Sequence, residues 1–205
     1  MPEEKPARRK DDRPDELVDA AFHEFAEKGY SETRLQDVAK RAGVSKGLPY
    51  LYFKTKEELF KAVLKRIVKP FLDRLFNDVK SNDVPLPDFL RGPFLSFAKS
   101  FVKSRRARVL RLLIAEGPKH PDLTAYYAEN VMQPALASMR TLIERARERG
   151  EIGNANIAQF PQLIIAPVML SALWNQLFAR HIELDVDAML AMHVENILLA
   201  MEVKS

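Results

Sequence analysis

From residue 59 to residue 79 an apolar side chain stands at every fourth position, Leu59, Val63, Ile67, Phe71, Leu75 and Val79, with Phe60, Leu64, Val68, Leu72 and Phe76 beside them. That spacing gathers into one stripe on a helix and scatters over both faces of a strand, so the segment reads as a long helix with one buried side. The same period recurs along most of the chain. Pro14, Asp15 and Glu16 form a first helical turn ahead of the stripe Leu17, Val18, Ala21, Phe22 and Phe25, and Lys28-Gly29 ends that helix. Thr33 and Gln36 have capping-box spacing before Leu35, Val38 and Ala39, and Gly43 closes this second helix after about two turns. A third short helix follows, with Ser45 expected as its N-cap, and Thr55 with Glu58 opens the long fourth helix.

Residues 81–87 are polar and proline-rich and read as a linker. Beyond them, further helices are expected over residues 89–102, 105–115, 123–149, 157–179 and 186–203, separated by Ser104, Gly117-Pro118, Gly150 with Gly153, and Asp185. No run of alternating Val, Ile and Thr argues for a sheet. The fold class is therefore all-α with about nine helices. Its organisation is expected to be a flexible basic arm at 1–13, a helix-turn-helix unit at 14–58, a connecting helix at 59–80 and a C-terminal helical domain at 81–205. Residues 152–179 carry no charge, but Asn154, Asn156, Gln159, Gln162, Asn175, Gln176, Pro161 and Pro167 interrupt them, so a membrane span is not expected there. A helix buried on nearly every side fits better.

The chemistry narrows the function. With no cysteine there is no disulfide framework, thiolate metal site or thiol catalysis, and the first residues lack the apolar stretch of a signal peptide, so a cytoplasmic location is expected. His23, His120, His181 and His193 form neither an HExxH nor an HxxxH pair, and seven glycines build no phosphate loop. No enzyme, metal or cofactor is expected. The net charge of +4 is small, yet residues 34–56 hold Arg34, Lys40, Arg41, Lys46, Lys54 and Lys56 against Asp37 alone, six minus one or +5. Two short helices joined through Ala42-Gly43-Val44 make a wedge whose second helix fits a major groove about 12 Å wide. Tyr50, Tyr52 and the lysines supply donors for phosphate oxygens.

The connected pattern Gly29-Tyr30, a Thr-capped second helix, Ala42-Gly43-Val44-Ser45, then Lys46-Gly47-x-x-Tyr50-x-Tyr52-Phe53-x-Thr55-Lys56-Glu57 resembles the signature of tetracycline-repressor (TetR) type regulators, over roughly the first quarter of the chain. The resemblance implies a dimeric repressor that holds palindromic double-stranded operator DNA until a small molecule releases it. It implies that Thr33 and Tyr52 hold phosphates, that Lys46, Gly47 and Tyr50 face base edges or adjacent backbone, and that Lys56 clamps a phosphate. Arg34, Ser45, Leu48, Pro49 and Lys54 complete the candidate DNA surface. Pro49 departs from the commonest pattern, and a proline inside a short helix implies that the helix starts late or is distorted.

The effector is expected to be hydrophobic or aromatic, with Glu116, His120, Tyr126, Tyr127, Asn130, Gln133 and Trp174 as the polar handles an apolar pocket needs. The last two helices carry more apolar surface than a small monomer hides. They are expected to form a homodimer through Leu173, Leu177, Leu190, Val194, Ile197, Leu198 and Met201.

Overall fold

The computed structural model describes residues 13–203, with the side chains of residues 78–82 excepted. Among the described residues there are nine helices, counting three that pass through a π turn as continuous. These are α1 (Arg13–Lys28), α2 (Leu35–Ala42), α3 (Leu48–Tyr52), α4 (56–82), α5 (86–103), α6 (Arg108–Glu116), α7 (121–148), α8 (Gln162–Leu177) and α9 (Val186–Ala200). The only β-type pairing among these residues is a single bridge between Ile152 and Val203. Of the expected basic arm, residues 1–12 lie outside the described residues, and Arg13 already belongs to α1. The linker expected at 81–87 shrinks to residues 83–85, because α4 runs on to Asn82 and α5 opens with Pro87 in its first turn.

Each of the three long helices contains a proline that lacks the N–H a helix interior needs. Each meets the defect with a π turn: Leu64–Val68 just before Pro70, Leu90–Phe94 around Pro93, and Ala128–Met132 just before Pro134. The sequence reading treated these helices as uninterrupted; the prolines were the missed signal.

Two apolar cores result. Leu17, Phe25, Val38, Leu59, Phe60 and Leu64 fill the one beneath α1–α3, and Phe76, Phe89, Met139, Ile143, Ile164, Leu190 and Leu198 fill the other. Helices α4, α6 and α7 feed both: Val68, Val109, Leu112, Leu123 and Val131 join the first, while Leu75, Leu110, Met139 and Ile143 join the second. The helix-turn-helix therefore rests directly on the C-terminal helices.

A buried acid locks α1 to α2. Glu24 is almost fully buried, with Arg41 Nε 2.6 Å from Oε1 and Lys28 Nζ 2.6 Å from Oε2, and Arg41 also reaches Glu27. Burial pushes the Glu24 carboxyl up, but the hydrogen bonds and charges of Lys28 and Arg41 outweigh it and hold the group below its ordinary 4.5. A carboxyl depressed in the folded state adds stability above the ordinary value and loses it as pH falls through the native one. Glu24→Gln is expected to cost about 2 kcal/mol at neutral pH, because two cations lose their shared partner. In urea denaturation the gap between wild type and variant should narrow as the pH drops below 4.5. A gap that stays constant to low pH would show that Glu24 contributes through packing alone.

Candidate nucleic-acid interface and apolar cavity

Helix α2 begins after Arg34, whose N–H donates to Asp37 Oδ2 at 3.2 Å, so the cap pair is Arg34 and Asp37 instead of Thr33 and Gln36. Thr33 is 1% exposed and its hydroxyl donates to the Gly29 carbonyl at 2.7 Å. That corrects its expected phosphate role: the side chain ties α1 to α2 and faces no solvent. Gly43 ends α2 at φ 67°, where a Cβ would be strained, with the Val44 N–H donating to the Ala39 carbonyl at 3.0 Å.

Ser45 is not the N-cap of α3. Its carbonyl accepts from the Leu48 N–H at 3.0 Å in a turn, and Gly47 caps the helix. The late start puts Pro49 in the first turn, where its missing N–H has no partner to lose. Pro49 is buried, which removes it from the candidate base contacts; Leu48 is half-buried. Leu51 faces outward at 79% exposure, flanked by exposed Tyr50 and Tyr52. The sequence reading missed Leu51, although a residue two places from an inward proline lies about 200° round the helix. No side-chain or backbone atom lies within 4 Å of a Cβ built at Gly47, so packing does not demand glycine there.

Arg34, Lys40, Lys46 and Lys54 are exposed and form no ion pair among the described residues, whereas Arg41 is neutralised by Glu24 and Glu27. Lys56 is also engaged. Its ammonium donates to the carbonyls of Tyr30 at 2.7 Å and Ser31 at 2.9 Å and lies 4.6 Å from the Tyr30 ring centre. Burial lowers its pKa against the pull of Glu116 and Glu32. Thr55 does cap α4: its Oγ1 accepts from the Glu58 N–H at 3.1 Å, and the Glu58 carboxylate accepts from the Lys54 N–H at 2.7 Å.

The expected ligand handles separate into distinct places. Glu116 accepts from the Ser31 hydroxyl and, at 3.3 Å, from the Ser31 N–H. The Ser31 hydroxyl bond is the main reason its carboxyl lies below the usual range. His120 stands against the Tyr30 ring at 4.8 Å and near the Ser31 hydroxyl at 3.3 Å, and Tyr126 lies under the Lys61 ammonium. Glu116 and His120 join the helix-turn-helix to the C-terminal helices, Tyr126 joins α4 to α7, and none of the three lines the apolar cavity. Gln133 is exposed, Asn130 borders a separate polar cleft with Lys69 and Asp73, and Trp174 packs on Phe178 while donating to the Ile182 carbonyl at 3.2 Å.

Only Tyr127 borders the apolar cavity, a space of about 80 Å³. Its walls come from α4 (Val68, Phe71, Leu72, Leu75, Phe76), α5 (Phe94, Phe97, Phe101), α6 (Leu110), α7 (Met132, Ala135, Leu136, Met139) and α8 (Ile165, Val168, Met169). The α4 residues lie outside the span from Glu116 to Trp174 that holds the expected handles. Val68, Phe94 and Met132, the last residues of the three π turns, all reach this one space.

The expected interface residues also divide. Leu190, Val194, Leu198 and Met201 are buried within the chain's own core, which corrects their assignment; Leu173 and Ile197 are half-buried and Leu177 is exposed. The outward face instead presents Leu163, Leu170 and Leu177 at intervals of seven on α8, with Met192 and Leu199 on α9. No helix among the described residues is long and apolar enough to cross a membrane.

An outward-facing short helix above a rigid turn, rimmed by unpaired cations and tied to a helical domain with an apolar cavity, defines a helix-turn-helix DNA-binding regulator with a ligand-binding module. The profile of bacterial regulatory proteins of the tetR family matches residues 17–63, and that of the tetracyclin repressor-like C-terminal domain matches residues 90–191. The chain belongs to the TetR family of transcriptional regulators, which are not enzymes. It is 38% identical over 65 residues to the fatty acid metabolism regulator protein of Bacillus subtilis, a match covering 32% of this chain and 34% of that relative. Its fold resembles a putative TetR-family transcriptional regulator from Mesorhizobium loti, with a TM-score of 0.78, 21% identity, and 96% of this chain and all of the other covered. It also resembles the regulator FadR from Bacillus subtilis in complex with stearoyl-CoA, with a TM-score of 0.74, 22% identity, and 89% of this chain and 96% of that one covered.

Lys46→Ala and Lys54→Ala are each expected to weaken binding to duplex DNA and to lower the salt slope by about one unit, as for one lost phosphate contact. Lys56→Ala should instead lower the urea midpoint, because it strips two carbonyls of their donor. Anisotropy titrations across salt check the first pair; unchanged slopes in both would remove these lysines from the interface.

Proposed function

We propose that this regulator is a cytoplasmic homodimeric repressor, released from a palindromic operator by an uncommonly apolar effector. The observation that carries the reading is the path of α4, whose first turn holds the recognition unit through Lys56 and whose later turns form a wall of the cavity. In this reading residues 14–58 bind DNA, 59–80 connect, and 81–205 bind effector and partner. Arg34, Lys46, Lys54, Tyr50, Leu51 and Tyr52 meet the duplex, and Gly47 leaves room for close approach.

The cavity is about half the size of the ~150 Å³ space that holds a benzene ring. An effector therefore has to widen it, displacing the Met132, Met139 and Met169 side chains and the α4 wall. Displacement of α4 in both subunits changes the separation of the two recognition helices. The relatives that act in fatty acid metabolism, one of them seen with stearoyl-CoA, favour an acyl chain as the occupant. A compound that raises the melting temperature should lose affinity when operator is present, since coupling between sites is reciprocal. Equal affinity with and without operator would rule out induction by that compound.

The dimer is proposed to form through Leu163, Leu170, Leu177, Met192 and Leu199, the apolar face the chain leaves uncovered. Leu170→Glu with Leu199→Glu is expected to leave a helical monomer of 23.4 kDa that binds operator far more weakly, since one recognition helix engages one half-site. Light scattering decides this. Wild type at the monomer mass while binding operator tightly would overturn the dimer.

A further inference from the structure

We infer that Tyr127 orients the effector, and that it does so by donating a hydrogen bond to an uncharged oxygen on an otherwise apolar molecule. The inference rests on the cavity being the effector site, and it specifies the chemistry admitted there. The wall is hydrocarbon, thioether and phenyl throughout, with Phe71, Leu75, Phe97, Met139, Ile165 and Val168 as typical members. Among the described residues no Lys, Arg, His, Asp, Glu, Asn or Gln borders it. Tyr127 brings the one heteroatom able to donate, and its hydroxyl has no hydrogen-bond partner among the described residues.

Tyr127 is half-buried, and with no partner among the described residues its hydroxyl is left to meet whatever enters the cavity. Trapped water answers poorly here. A buried water needs two to four polar partners, and this cavity offers one. Burial pushes the phenol up to about 12, so the group keeps its proton at physiological pH and offers an O–H that an acceptor on the ligand can satisfy.

A carboxylate is an acceptor, yet it would leave water for a space with no counter-charge, and an unpaired buried ion is strongly disfavoured. An ester, thioester or ketone carbonyl accepts the same bond without that penalty. The structure therefore selects for a neutral carbonyl on an apolar chain or ring and against the corresponding free acid. Tyr127 is also the residue immediately before the π turn Ala128–Met132, and its neighbour Tyr126 lies under Lys61 of α4. A bond formed at Tyr127 thus acts on the part of α7 that touches the helix leading to the recognition unit.

The test uses the full chain and Tyr127→Phe, titrated near neutral pH with n-hexane, methyl hexanoate and hexanoate by calorimetry. Wild type is expected to bind methyl hexanoate about tenfold more tightly than either hexane or hexanoate, the ratio for one hydrogen bond of ~1.4 kcal/mol. In Tyr127→Phe the ester should fall to the level of hexane while hexane is unchanged. The ligand-free variant is expected to unfold at an equal or higher urea concentration than wild type, because it loses an unsatisfied donor. Hexane binding with no ester preference in wild type, an ester preference that survives in Tyr127→Phe, or hexanoate as the tightest ligand would overturn the inference while keeping the cavity as a binding site. A clear loss of stability in ligand-free Tyr127→Phe would also overturn it, by showing that the phenol has a partner within the protein. Failure of all three probes to bind would overturn both the cavity as effector site and the role of Tyr127.

Discussion

Helix α4 packs Leu59, Phe60 and Val63 into the core beneath the recognition unit and Leu75 and Phe76 into the core of the C-terminal helices, with a π turn between. Neither core closes without it. Because one helix belongs to both, a shift at its distal half bears on both cores; close-packed interiors respond by moving whole elements. Helices α6 and α7 share this double membership, and the contacts of Glu116 with Ser31, Lys61 with Tyr126 and Arg111 with the Ala26 carbonyl set the angle at which the upper unit sits on the lower.

The π turns belong to the same arrangement. A proline within a long helix leaves a carbonyl without its donor, and widening one turn redistributes that defect over several residues. In this chain three such turns end on Val68, Phe94 and Met132, all beside one cavity. Helical walls that are already irregular enclose a space that straight, tightly meshed helices would fill. The cavity lies beside all three turns, and the flexible methionines around it supply room to enlarge.

Electrostatics sort the basic residues in a way their number does not reveal. Arg41 and Lys28 are spent on Glu24, and Lys56 on two carbonyls, so part of the charge counted between residues 34 and 56 builds the fold. The cations that remain, Arg34, Lys40, Lys46 and Lys54, are exposed and unpaired among the described residues, and Lys46 and Lys54 stand on either side of α3 in the chain. Thr33 and Pro49 show the same division. Both stand inside the motif and both are buried.

Hydrophobic period and glycine stops were enough to place the helices, and the connected motif to recognise the family, because these signals are local and each depends on residues within a few positions of one another; the caps of α2 and α3 lie one or two residues beyond their expected places. Even Pro49 announced the late start of α3, through the fixed geometry of its ring. What the residues face is decided by elements far away in the chain. Leu190, Val194, Leu198 and Met201 form an apolar stripe that reads equally well as interface or core, and only the packing of α9 against α5 and α8 turned it inward and left Leu170 and Leu199 outside. Likewise Tyr126 and Tyr127 are adjacent in sequence and alike in chemistry. Helical geometry separates them by 100°, so one meets α4 at the joint and the other meets the cavity. Sequence alone determined that this chain is helical and carries a DNA-binding wedge, since backbone preference and amphipathic period are written residue by residue. Which side chains became surface, joint, core or cavity wall was settled only when distant helices met, because burial is a property of the assembled fold and not of any segment.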